Sequence, residues 1–329
     1  MRSEQPADLL DPDALLQRPG ARLMVLAPHP DDESLAAGGL LQRALAYGVP
    51  VSVVYATDGE NNPWPQRLLE HRVWIGPRQR TAWGRRRRAE ADAALAALGA
   101  AKVSVYRLGW PDGGVTWKLL ADTENMLATL RGLLQRERPS VLILPDLVDR
   151  HPDHSALHVL AEMAFQTMPG DGPRPACLGY LLHGRSQPGT PAHAVFSMQP
   201  AEQARKLQAI EAHASQTALS GARLRRFAGA TEPFVAGLES HDQAGTTLPW
   251  RPPRILRPLL ALLVVDAGGG ARVRIGGGGA GALRWADGSP AAQPARALRR
   301  PYYVKLYCPL PSPWVFDGWG WCRFGTPHA

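Results

Sequence analysis

Two short segments hold the residue types that perform hydrolytic or metal chemistry. Pro28-His29-Pro30-Asp31-Asp32-Glu33 sets an imidazole beside adjacent carboxylates, and Asp149-Arg150-His151-Pro152-Asp153-His154 sets two histidines three apart. Neighbouring carboxylates at the mouth of a sheet are costly unless a cation or a hydrogen-bond network holds them. Imidazole with carboxylate is a donor set that suits Zn2+. A His-x-x-Asp span can turn His29 and Asp32 toward one point while Asp31 points into the cleft, and histidines three apart can share a helix face. The alternative for the first segment is that Asp31-Asp32-Glu33 caps the following helix, where acids complement the dipole. The three cysteines, Cys177, Cys308 and Cys322, lie far apart without a CxxC pair. That argues against a disulfide framework and a thiolate site, so any metal must be held by His and carboxylate.

Both segments need a scaffold, and the pattern around them supplies one. Arg22 to Ala27, Val49 to Thr57, Lys102 to Leu108, Val141 to Leu144, Cys177 to His183 and Ala194 to Ser197 read as strands. Helical stretches alternate with them: Glu33 to Tyr47 closing at Gly48, Arg85 to Leu98 stopping at Gly99, Leu119 to Glu137, Ser155 to Met168, and Ala201 to about Thr217. Alternation of this kind implies βαβ units and a Rossmann-like, mainly parallel sheet flanked by helices. Ligands of such sheets bind beyond the carboxyl ends of strands, and each chemical segment follows a predicted strand.

With 45% apolar residues the 329-residue chain can bury a full core. Its longest apolar run, Leu259 to Val265, is too short to span a bilayer. The start, Met1 to Gly20, is polar and lacks the basic and apolar regions of a signal peptide, so a cytoplasmic setting is expected. Charge divides unevenly. Residues 1–250 carry 26 Lys+Arg and 26 Asp+Glu, whereas residues 251–329 carry 11 against 3, the whole of the net +8. Five of ten tryptophans (Trp250, Trp285, Trp314, Trp319, Trp321) sit in or beside that tail. The expected organisation is an N-terminal extension at 1–20, an α/β catalytic domain at 21–248, and a small β-rich, basic region at 249–329.

The sequence resembles the PIG-L / LmbE-like family of zinc-dependent N-acetylglucosaminyl deacetylases over roughly residues 22 to 235. The resemblance rests on Ala27 to Glu33, Thr57-Asp58-Gly59-Glu60, the Arg87/Glu90/Ala94/Leu98-Gly99 helix, Pro111-Asp112-Gly113, Arg150 to His154, and Lys206/Ala209/His213/Ser215-Gln216. It implies that His29, Asp32 and His154 bind Zn2+, that Asp31 is the general base, and that His151 is the general acid or charge stabiliser. It also implies Arg150 and Arg87 as substrate contacts, although Arg85 to Arg88 also reads as a solvated helix face. His213 is expected either to line the far wall of the site or to be structural, and Asp153 to orient a histidine from behind. Some relatives place a tyrosine where this chain has Asp149.

The activity so implied is removal of an N-acetyl group from an amino sugar or glycoconjugate. Competing readings are an amidase acting on another N-acyl substrate, and a glycan- or nucleic-acid-binding protein working through the basic tail. The tail carries no recognisable nucleic-acid motif, so a small-molecule or glycan substrate is expected and nucleic acid is not. Its Arg and Trp side chains would either serve an anionic substrate or complete the fold.

Overall fold

Leu23–Ala27 (β1) is apolar at all five positions and buried at all five, the signature of a strand covered on both faces. The computed structural model describes residues 10–168, 174–184, 194–237, 243, 245–277, 279, 282–310 and 315–325. In chain order β1 is preceded by a short helix, Pro12–Leu16 (α1), and followed by Asp32–Ala46 (α2), Val51–Thr57 (β2), Pro63–Glu70 (α3), Pro77–Ala97 (α4) and Ser104–Trp110 (β3). Then come Val115–Ala121 (α5), Thr123–Glu137 (α6), Val141–Pro145 (β4), Pro152–Thr167 (α7), Ala176–Tyr180 (β5) and Ala194–Ser197 (β6). Pro200–Ala212 (α8), Ala214–Arg225 (α9) and Thr231–Ala236 (β7) complete the first three-quarters of the chain. The rest holds Ala261–Asp266 (β8), Gly269–Arg274 (β9), Leu283–Arg284 (β10), Pro290–Ala292 (β11), Tyr302–Tyr307 (β12) and Trp321–Phe324 (β13).

The chain forms two compact units, both discontinuous in sequence. The first comprises Met1–Asp112, Glu137–Pro145 and Gly172–Gly237; the second comprises Gly113–Arg136, Asp146–Asp171 and Leu238–Ala329. The composition boundary near residue 248 divides the chain only once, whereas these units interleave three segments each.

The first unit is built on a seven-stranded sheet ordered β3-β2-β1-β4-β5-β7-β6. Strands β3 to β5 in that order are parallel, and β7 and β6 are antiparallel additions at one edge. In register, Leu23 lies opposite Val51 on one side and Val141 on the other. Leu40, Leu41, Leu95, Leu98, Ile210 and Phe234 pack with these strands in one core, and each fully buried Leu or Phe contributes about 1.5–3 kcal/mol. The α2 helix kinks at Ala37. Just past it, the N–H groups of Gly39 and Leu40 donate to the buried Glu232 carboxylate, which also accepts from Lys206 Nζ at 2.6 Å.

The second unit carries a four-stranded antiparallel sheet, β13-β12-β8-β9, and a two-stranded one, β10-β11. Helix α5 lies on β8 and β9. A Cβ at Gly270 would come within 2.5 Å of Leu120 Cα, so that contact requires glycine. Trp117 meets Tyr307 edge to face at 5.0 Å. Trp285 and Trp321 are buried, and Trp250 and Trp319 pack against the apolar cluster that holds Trp285. One tail arginine is buried, Arg323, which pairs with Glu162; the partly buried Arg257 pairs with Asp287, and the exposed Arg296 reaches the buried Asp266. Of the four described tail tryptophans two are buried and two partly buried; Trp314, and residues 1–9 of the extension, fall outside the described residues.

Several element boundaries differ from the sequence expectation for local reasons. The helix expected over Leu119–Glu137 is two helices, broken at Asp122, whose carboxylate accepts from Lys118 Nζ and Asn125 Nδ2. The helix expected to run to Thr217 is divided at His213 between α8 and α9. Helix α4 starts eight residues earlier than expected, at Pro77, a residue favoured in a first helical turn. No helix among the described residues is long and apolar enough to cross a membrane.

Candidate functional site

In the first unit, the segment leaving β1 is tied to the end of β2: Pro28 O accepts from both the N–H and the Oγ1 of Thr57. His29 follows, 7% exposed. Its backbone N–H donates to Asp32 Oδ2 at 2.8 Å, its Nδ1 lies 3.3 Å from the same oxygen, and its Nε2 lies 3.2 Å from Asp112 Oδ1. Asp112 also accepts from Asn61 N–H. Burial works against its charge, but bonding to His29, the Arg87 charge and the Asn61 N–H hold the carboxyl below the usual carboxylate range. The His29 ring therefore lies buried between two carboxylates, Asp32 at Nδ1 and Asp112 at Nε2, a His/Asp group of the donor types that hold a metal ion. Asp112 was legible only as part of a weak Pro-Asp-Gly motif.

Asp31 has φ 152°, a conformation that L-residues rarely adopt, at a cost of about 1–3 kcal/mol. Glu33 and Arg87 hold it. Its N–H donates to Glu33 Oε2, its carboxylate lies 3.2 Å from Arg87 Nη2, and Arg87 Nη2 also donates to Pro30 O at 2.8 Å. Burial pushes the Asp31 carboxyl up to about 6, against the pull of Arg87. Acids 31 to 33 do more than cap α2, since no side-chain cap bond forms at Asp31.

Arg87 is 3% exposed, while Arg85 and Arg86 beside it are exposed. Its Nη1 donates to Gly59 O, and a Cβ at Gly59 would lie 1.8 Å from that nitrogen. The guanidinium thus clasps the turns after β1 and β2 together. Behind it, Glu33 is fully buried; its Oε1 accepts from Ser34 Oγ and lies 3.2 Å from His213 Nε2. Burial opposes a charge on His213, yet Glu33 and then Asp31 raise its pKa above the ordinary histidine value. The break between α8 and α9 is what delivers this imidazole to Glu33. Glu90 accepts from the N–H and Oγ of Ser215, and Gln216 accepts from Asn62 Nδ2.

In the second unit, the loop entering α7 is braced by Asp149, which is fully buried. Its Oδ1 accepts the His151 N–H at 2.9 Å and its Oδ2 lies 3.3 Å from His154 Nδ1. The position where some relatives carry tyrosine therefore orients both histidines. His151 caps α7 with its ring: Nδ1 accepts the Asp153 N–H, an arrangement that leaves the proton of a neutral imidazole on Nε2. The His151 and His154 rings are 5.1 Å apart. Asp153 reaches His151 through its backbone, while its carboxylate accepts from the N–H groups of Gly113 and Val115.

The tail segment between β12 and β13 grips the same loop. Asp317 N–H donates to Arg150 O, Arg150 Nε donates to Asp317 O, and Phe316 meets the His151 ring edge-on at 6.2 Å. Asp317 in turn pairs with the buried Lys305 of β12. Burial pulls Lys305 down and Asp317 up from their usual values. Arg150 itself is exposed, with its backbone carbonyl and Nε both bonded to Asp317.

A mostly parallel, Rossmann-like sheet with a buried imidazole–carboxylate cluster beyond a central strand defines an α/β protein with a candidate metal centre. The family model for PIG-L, GlcNAc-PI de-N-acetylase, matches residues 24–165. The chain is similar to the 1D-myo-inositol 2-acetamido-2-deoxy-alpha-D-glucopyranoside deacetylase of Nocardiopsis dassonvillei, with 32% identity over 229 residues, covering 64% of this chain and 70% of that one. The protein of the same name from Tsukamurella paurometabola is 31% identical over 197 residues, covering 50% of this chain. The match spans 64% of the Tsukamurella protein's length, just under two thirds. The fold is similar to that of N,N'-diacetylchitobiose deacetylase from Pyrococcus horikoshii, with TM-score 0.51 and 21% identity, covering 68% of this chain and 86% of that one. The chain belongs to the PIG-L family.

Proposed function

We propose that this protein is a metal-dependent N-deacetylase that hydrolyses the acetamide of an amino sugar or glycoconjugate. The observation that carries this reading is topological. His29-Pro30-Asp31-Asp32 and His151-Pro152-Asp153-His154 follow the carboxyl ends of β1 and β4, and those strands are adjacent and parallel. That is where open α/β sheets bind ligands. Family membership and the names of the two deacetylase relatives point the same way.

The proposed ligands are His29, Asp32 and His154, with Zn2+ as the metal. The residues fit that ion: they are buried, they offer imidazole nitrogen and carboxylate oxygen, and Asp149 on His154 Nδ1 leaves Nε2 as the donor. When bound, Zn2+ lowers the pKa of water and polarises a carbonyl. Asp31, held rigid by Arg87 and Glu33, takes the proton from the attacking water. His151, its Nδ1 occupied by the Asp153 N–H, presents Nε2 to the charge that develops on the amide oxygen or to the departing amine. Arg150 faces outward as the substrate contact. Arg87, closed in on backbone carbonyls, is assigned to positioning Asp31, and His213 to supporting Glu33 behind it. The small-molecule substrate is expected in the cytoplasm, a setting that suits a chain whose three cysteines form no disulfide.

Acetate release from N-acetylglucosaminyl-inositol and from N,N'-diacetylchitobiose, assayed against N-propionyl and N-benzoyl analogues, tests the reading. Preferential acetate release, lost in Asp31→Asn, is expected. Equal or better cleavage of the larger acyl groups would favour a general amidase instead.

A further inference from the structure

The first unit exposes nine large apolar side chains among the described residues, and five of them fall within eleven positions: Trp64, Leu68, Leu69, Val73 and Trp74. Val73 is 89% exposed and Trp74 82%. Trp64 and Leu68 lie one turn apart on α3 and so share a face. The chain then turns at His71, whose left-handed backbone caps α3, and Arg72 N–H donates back to Arg67 O. This folds Val73 and Trp74 close to the helix end rather than letting them trail away. Gln66 Nε2 donates to Gln79 O, fastening the hairpin to the start of α4. The segment is therefore a built surface, stiffened by Pro63, Pro65 and Pro77.

Its charge identifies what it fits. Residues 63–80 contain Arg67, Arg72, Arg78 and Arg80 against the single acid Glu70. The Arg67 guanidinium lies 5.2 Å from the Trp64 ring centre, and the other three arginines are exposed. A second copy of this chain would bring like charges face to face, with one glutamate per copy to meet four arginines. An anionic lipid surface satisfies both halves: tryptophan and leucine enter the headgroup boundary while arginines meet lipid phosphates. The hairpin also follows the carboxyl end of β2, which neighbours β1, and Asn62 at its root bonds Gln216. It thus rises from the same sheet edge as His29 and Asp31.

We infer that residues 64–80 form a docking surface for an anionic membrane interface, which would set the sheet edge carrying His29 toward molecules held at that interface. The test is co-sedimentation of the full chain with vesicles of phosphatidylcholine alone or mixed with phosphatidylglycerol. The comparison is Trp64→Ser/Val73→Ser/Trp74→Ser, a variant that leaves every charge in place, including those of the basic tail. Expected is binding to the mixed vesicles and not the neutral ones, weakened roughly tenfold or more in the variant. Circular dichroism and acetate release in the absence of lipid should be unchanged, because all three side chains are exposed. Undiminished binding by the variant would assign adsorption to the basic tail and overturn the inference. So would failure to bind the mixed vesicles, or a dimer in sedimentation velocity that the variant abolishes.

Discussion

The two chemical segments look alike in sequence, but the protein holds them by different means. Around Asp31 the support is a ring of buried charge: Arg87 on its carboxylate, Glu33 on its N–H, and His213 behind Glu33. That ring keeps an unfavourable backbone in place. Around His151 the backbone is relaxed and much of the support is local, with Asp149 accepting the His151 N–H and lying 3.3 Å from His154 Nδ1, and the ring of His151 capping its own helix. A clamp from the tail, Asp317 on Arg150, adds to it. The strained segment is held by buried charges, whereas the capped one combines local hydrogen bonds with a clamp from the tail.

The largest expected effect separates chemistry from support. Asp31→Asn preserves size and should leave metal content and melting temperature close to wild type while cutting turnover about 10²–10⁴-fold; near-normal turnover would remove Asp31 from the mechanism. Next comes the tail clamp. Lys305→Met leaves Asp317 partly buried without its cation and should cost about 3 kcal/mol in chemical denaturation. Lys305→Met/Asp317→Leu should regain most of that, and a neutral single variant would mean the pair contributes nothing. Arg87→Lys keeps the charge but loses the fork that spans Pro30 O and Gly59 O. It should lower stability by about 2 kcal/mol and slow turnover without metal loss. The smallest effect is expected at Asp149→Asn, where metal affinity should fall about 10–100-fold with the fold intact. If Asp149→Asn proved more damaging to stability than Arg87→Lys, the contrast between a strained and a capped segment would fail.

Much of this was legible in advance where burial imposes a simple pattern. Strands β1, β2 and β4 read clearly because a parallel strand covered on both faces is a continuous apolar run. Helix ends at Gly48 and Gly99 read clearly because both glycines take positive φ. The break at His213 was hidden, since nothing in a helical period announces that a side chain is wanted elsewhere by Glu33. Arg87 was hard to tell from its neighbours because four consecutive arginines share a composition and only one turns inward. Asp112 and Glu33 gain their roles from partners tens of positions away, His29 and His213, which spacing does not reveal. The interleaved units were invisible to composition, which marks a change of residue usage near 248 but not that α5 and α7 pack with the strands beyond it.

Residues following two adjacent strands are proposed to share one metal ion. Zinc titration with elemental analysis of the wild type, His29→Ala and His154→Ala tests it most directly. One zinc per chain is predicted in the wild type, with either substitution alone abolishing tight binding while circular dichroism stays unchanged. Full zinc occupancy in both variants, or loss in only one of them, would contradict it.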